Sequence, residues 1–134
     1  MTTFHYLLMA GHSIYQKKLM DALKNTGLTL GQPKVLDYLK DFDGATQKEI
    51  AAACYLEAAT VTSILNGMEA KDLIIRKRLN GNRRSFHVFM TEKGKIHQKQ
   101  VEEVFLKLEE ETFRDIPVEK RDEFLNIFSK IMTI

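Results

Sequence analysis

Eight lysines and arginines stand between residues 73 and 100, opposed by Glu92 alone, so this stretch carries +7 in a chain whose net charge is +2. Such a block suits the neutralisation of phosphates, although the same charges would also make a solvated basic face. Within it, Arg83 and Arg84 are long cations able to cross a sugar-phosphate rail toward a minor groove, and Arg76 lies a few residues earlier. Upstream, Ala59, Thr60, Thr62, Ser63 and Asn66 are small or short polar residues. On a helix they would let the backbone approach a major groove while hydroxyls bond to bases or phosphates.

Other chemistries find less support. His5, His12, His87 and His97 lack metal-ligand spacing, so a metal site would have to be assembled across the fold or between subunits. Cys54 is the one cysteine, which rules out an internal disulfide; on an apolar helix face it reads as a small buried hydrophobe rather than a redox centre. There is no glycine-rich phosphate loop, nucleophile elbow or His-Glu-x-x-His, and Glu109 to Glu111 belong to a charged helix face. Neither catalysis nor a cofactor is expected.

The elements that would position these residues follow from periodicity. Leu8, Gly11, Tyr15, Leu19 and Leu23 mark one face of a helix within residues 4–25, stopped by Asn25-Thr-Gly27. Thr29-Leu-Gly-Gln32 and Thr46-Gln-Lys-Glu49 fit capping boxes. The first opens a helix through Leu36, Leu39 and Phe42, and the second a short one ending near Tyr55. After a tight connection, Val61, Ile64, Leu65 and Met68 form a buried face opposite the polar one, which predicts helix-turn-helix. The period then becomes that of strands in residues 73–78 and 85–90, flanking a tip with Asn80-Gly81, and a hairpin is expected. Thr91-Glu-Lys-Gly94 starts a long helix, Pro117 breaks it, and a last helix spans roughly residues 118–132.

This order is a winged helix-turn-helix, mainly α with a small β-hairpin wing, flanked by helices at both ends. Gly27-Leu-Thr-Leu-Gly-Gln32, Thr46-Gln-Lys-Glu-Ile-Ala51, Thr60-Val-Thr62, Leu73-Ile-Ile-Arg76, Arg83-Arg84-Ser85 and Thr91-Glu-Lys-Gly94 together resemble the MarR family of bacterial transcriptional regulators. The resemblance covers nearly the whole chain. It implies a homodimer on a pseudo-palindromic operator in double-stranded DNA, commonly a repressor released by a small ligand or by oxidation. On that reading residues 1–134 form one domain, with 1–30 and 95–134 as dimerisation helices and 31–94 as the DNA-binding lobe. The DNA contacts would be Ala59, Thr60, Thr62, Ser63, Asn66, Arg76, Arg83 and Arg84. Four positions depart from the family's pattern: Asn82 replaces the usual wing acid, Ser63 a longer basic residue and Asp72 a frequent glycine, while Gly67 interrupts the second helix of the motif.

The resemblance also implies an effector site between the dimer region and the DNA-binding lobe. Met9, His12, Ser13, Tyr15, Tyr38 and Phe42 could line it for a flat aromatic or lipophilic compound. The competing class is a winged helix used as a protein-interaction module, antirepressor-like, without operator binding. Composition fits one soluble globular domain, with 44% hydrophobic and 28% charged residues in 134. No signal peptide and no membrane contact are expected, and the location would be cytoplasmic.

Overall fold

The computed structural model describes residues 2–79, 81 and 84–134. Its elements run α1 (Phe4–Ala22), α2 (Gln32–Asp41), α3 (Gln47–Ala53), α4 (Ala58–Ala70), β1 (Ile74–Lys77), β2 (His87–Met90), α5 (Glu92–Thr112) and α6 (Val118–Met132). Apolar positions of α2, α3, α4, the hairpin and α5 converge on one core. Val35, Leu36, Leu39, Ile50, Val61, Leu65, Met68, Leu73, Ile74, Val88 and Val101 are all buried there.

Two of the predicted helix starts are capped by threonine. The Thr46 hydroxyl accepts from the Glu49 amide at 3.1 Å and donates to the Glu49 carboxylate at 3.1 Å. Thr91 accepts from the Gly94 amide at 3.0 Å and donates to the Asp72 carbonyl at 2.7 Å, so one side chain caps α5 and fastens it to the turn before β1. The Thr29 box forms only by half. Gly31 takes a left-handed conformation and α2 begins at Gln32, whose side-chain oxygen reaches back to the Thr29 amide at 3.0 Å. Lys71 donates to the same oxygen at 3.0 Å and to the Gly27 carbonyl at 2.6 Å, tying the loop before α2 to the end of α4. Gly67 has its reason here: a Cβ would stand 3.1 Å from Gln32 Nε2.

α3 and α4 both end in Schellman turns. After α3 the amides of Tyr55 and Leu56 bond to the carbonyls of Ala52 and Ala51; after α4 those of Asp72 and Leu73 bond to Glu69 and Met68. Each turn needs a left-handed residue, and Tyr55 (φ 54°) and Asp72 (φ 61°) supply it. Aspartate tolerates that region, whereas a bulky L residue there costs about 1 kcal/mol or more.

β1 and β2 pair antiparallel, with Arg76 opposite Val88 and Lys77 opposite His87. Residues 44–47 extend the pairing: Gly44 donates to the Val88 carbonyl (2.8 Å), Val88 to Ala45 (2.9 Å) and Gln47 to Phe86 (3.2 Å). The hairpin is therefore stitched to the start of α3. The terminal helices differ from the rest, since neither α1 nor α6 buries a residue. Phe4, Leu7, Leu8, Phe124, Leu125 and Ile131 are exposed on them.

Candidate nucleic-acid interface

α4 forms because its apolar residues recur at helical spacing, and their burial turns the opposite face outward. Ala59, Thr60, Thr62, Ser63 and Asn66 are all exposed, as the periodicity predicts. Thr62 donates its hydroxyl proton to the Ala58 carbonyl at 3.1 Å, which leaves its oxygen lone pairs and methyl group facing out. Thr62 can thus accept from a base or touch a thymine methyl.

Arg76 has a role that its position in the sequence does not reveal. Its side chain, 17% exposed, donates from Nε to Glu69 Oε2 at 3.0 Å and from Nη2 to Glu69 Oε1 at 3.3 Å. Nη2 also donates to Asn66 Oδ1 at 2.7 Å, and Nη1 to Gln47 Oε1 at 3.4 Å. One guanidinium thereby joins β1 to both helices of the motif. These contacts hold the lobe together, and they turn the Asn66 amide oxygen toward Arg76. The bonds from Arg76 hold the Glu69 carboxyl below its ordinary pKa. A depressed carboxyl pKa contributes stability that is present above the ordinary glutamate value and is lost as pH falls through the lowered one. Glu69 is well exposed, so solvent screening keeps the effect small: Arg76→Ala should cost about 1 kcal/mol near neutral pH. That deficit should shrink below about pH 4, a difference that urea unfolding of both forms at the two pH values would measure.

The wing carries further cations that the sequence reading did not single out. Lys77 Nζ lies 4.6 Å from the centre of the Phe89 ring, and the Arg78 guanidinium 4.6 Å from that of Phe86. Arg84 is exposed at the wing, and Arg83 and Asn82 lie outside the described residues. The basic run Arg76-Lys-Arg78 on one expected strand, with Phe86 and Phe89 on the segment that returns beside it, was the available signal for these ring contacts.

The proposed effector residues separate. His12 and Tyr15 line a cavity of about 160 Å³ together with Gln16, Leu19, Leu30, Gly31 and Phe105, where α1 meets the start of α2. Burial, with Glu109 and Asp37 nearby, raises the Tyr15 pKa. Met9 and Ser13 are exposed outside this cavity, and Tyr38 and Phe42 stack on each other at 4.8 Å between centroids. Cys54 is half-buried, with Sγ 3.8 Å from the Lys34 carbonyl, and burial raises its pKa, so the thiolate is disfavoured. Among the described residues no three histidine, cysteine or acidic side chains group to hold a metal, and no helix is long and apolar enough to cross a membrane.

Residues 26–85 match the sequence model of the MarR family. The HTH-type transcriptional regulator SarZ of Staphylococcus epidermidis is 31% identical over 88 residues, an overlap covering 66% of this chain and 60% of SarZ. The chain thus spans about 60% of the length of that relative. The MepR–DNA complex of Staphylococcus aureus superposes with a TM-score of 0.91 at 23% identity, covering 99% of this chain and 98% of MepR. The transcriptional repressor CouR, bound to a 23-mer DNA duplex, gives 0.88 at 22% identity, covering 97% and 92%. At such identities the two structures speak for the fold alone. Over residues 26–85, from the loop before α2 to the wing, the chain thus resembles the MarR family, and as a whole it has the winged helix-turn-helix fold.

Proposed function

We propose that this chain is a homodimeric, sequence-specific double-stranded DNA-binding transcriptional regulator, a repressor released by a small-molecule effector, acting in the bacterial cytoplasm by binding rather than catalysis. Residues 31–94 would bind DNA, and residues 1–30 and 95–134 would hold the dimer together. The outward face of α4 carries the reading: Ala59, Thr60, Thr62 and Ser63 are exposed and short, and the hairpin beyond them is basic. Large side chains at these positions would hold the helix away from a groove. For the effector, the cavity beside His12 and Tyr15 lies between α1 and the DNA-binding lobe. A CouR from Rhodococcus jostii RHA1, similar in fold, has been solved with p-coumaroyl-CoA bound, which supports an aromatic or lipophilic ligand for this chain.

The test is fluorescence anisotropy on duplexes that the protein enriches from a random pool, across several salt concentrations. Arg84→Ala should weaken binding to selected and random duplexes alike and reduce the salt slope by about 1 per lost phosphate contact, or about 2 per dimer. Thr62→Ala and Ser63→Ala should narrow the gap between selected and random sequences. Failure to enrich any duplex would refute operator binding and favour the protein-interaction module.

A further inference from the structure

Tyr55 is accounted for neither by the fold nor by the contacts described above. It fills the left-handed position of the turn between α3 and α4, where glycine would sit without strain. The residue is 78% exposed, so little packing offsets that strain. Leu56, next in the chain, packs against the core, as does Ala51, the pairing that commonly accompanies a Schellman turn. A strained residue that the fold does not reward points to a task outside the fold.

The task follows from position. Tyr55 precedes the exposed residues Ala59, Thr60, Thr62 and Ser63 by a few residues. When the second helix of such a motif enters a major groove by its N-terminal half, the first crosses the backbone. The connecting turn is then carried past a sugar-phosphate strand. We propose that Tyr55 is a phosphodiester contact, its phenol hydroxyl donating to a phosphate oxygen at the groove's edge and setting the depth to which α4 is inserted. The contact rests on the DNA-binding reading given above. A tyrosine suits the role because it brings a donor on a rigid ring and loses little conformational freedom when it docks.

The experiment uses the whole chain and a fluorescein-labelled duplex of about 30 base pairs, roughly three helical turns, enriched by the unsubstituted protein from a random pool. Tyr55→Gly should leave the thermal midpoint unchanged or raise it, since glycine is at ease at this φ. It should weaken duplex binding about fivefold per contact, or about 25-fold for a dimer making two. Tyr55→Phe, which keeps the ring and loses the hydroxyl, should reproduce most of that loss. The salt slope should stay as it was in both variants, because no cation is removed. Undiminished affinity in Tyr55→Gly, full affinity in Tyr55→Phe, or a changed slope would each overturn the contact. If the unsubstituted chain enriches no duplex, the DNA-binding reading fails and takes this contact with it. Enrichment with an indifferent Tyr55→Gly overturns the contact alone.

Discussion

Phe124→Asp is expected to turn a dimer into monomers at micromolar concentration. Phe124 is 53% exposed in the single chain although its ring stacks on Phe128 at 5.9 Å and tilts against Phe113 at 6.2 Å. These rings and Phe4, Leu7 and Leu8 of α1 line an apolar groove of about 600 Å³. A stable protein seldom leaves so large an apolar surface in water. A two-fold interface of about 2,000 Å² would cover it and supply the association energy. The symmetry places each substitution in the interface twice, so about 2 kcal/mol per buried, unpaired carboxylate becomes about 4 kcal/mol, or roughly a thousandfold in dissociation constant. Sedimentation velocity would read the change directly; a dimer persisting at micromolar Phe124→Asp would remove these helices from the interface.

Gly94→Ala should cost the fold about 3 kcal/mol, the upper range for overpacking. Gly94 is the third residue of α5, buried, and a Cβ there would overlap the Leu73 carbonyl, with Met90 Cβ a further 3.4 Å neighbour. The carbonyl cannot easily retreat, because it also accepts the Thr91 amide at 3.0 Å. In an open helix the same replacement would stabilise by about 1 kcal/mol through helix propensity alone. The two possibilities have opposite signs, and urea unfolding decides between them: a stabilised Gly94→Ala would mean that α5 and the turn before β1 do not meet so closely.

Features set by a few neighbouring residues were legible in the sequence. Thr46 and Thr91 cap where the pattern put them because a cap needs only a hydroxyl and an amide three residues on. Val61, Leu65 and Met68 are buried because helical spacing fixes which residues share a face. The start of α2 was misjudged by two residues, since Gly31 prefers a left-handed turn to the first turn of a helix. Phe105 and Leu108 lie about one turn apart on α5, where Leu108 is buried and Phe105 half-buried within the chain itself, leaving α1 and α6 to present the uncovered apolar face. The Arg76 network was illegible because Gln47, Asn66 and Glu69 come from separate elements, and no local pattern announces that they converge. The helix end near Tyr55 was legible but its left-handed turn was not, because such a turn is ordinarily signalled by glycine.

If the chain pairs and binds DNA as proposed, the bonds joining residues 44–47 to residues 86–88 bear on how its two halves would adjust to the duplex. They remove the freedom of the wing's base to hinge against the helix-turn-helix, so strand and helices must travel as one rigid body. Amides such as Val88 should then exchange with solvent only on the scale of global unfolding, not by local opening. In a dimer, the separation of the two heads would be set at the seam between α1, α5 and α6, leaving the spacing of operator half-sites to be read there.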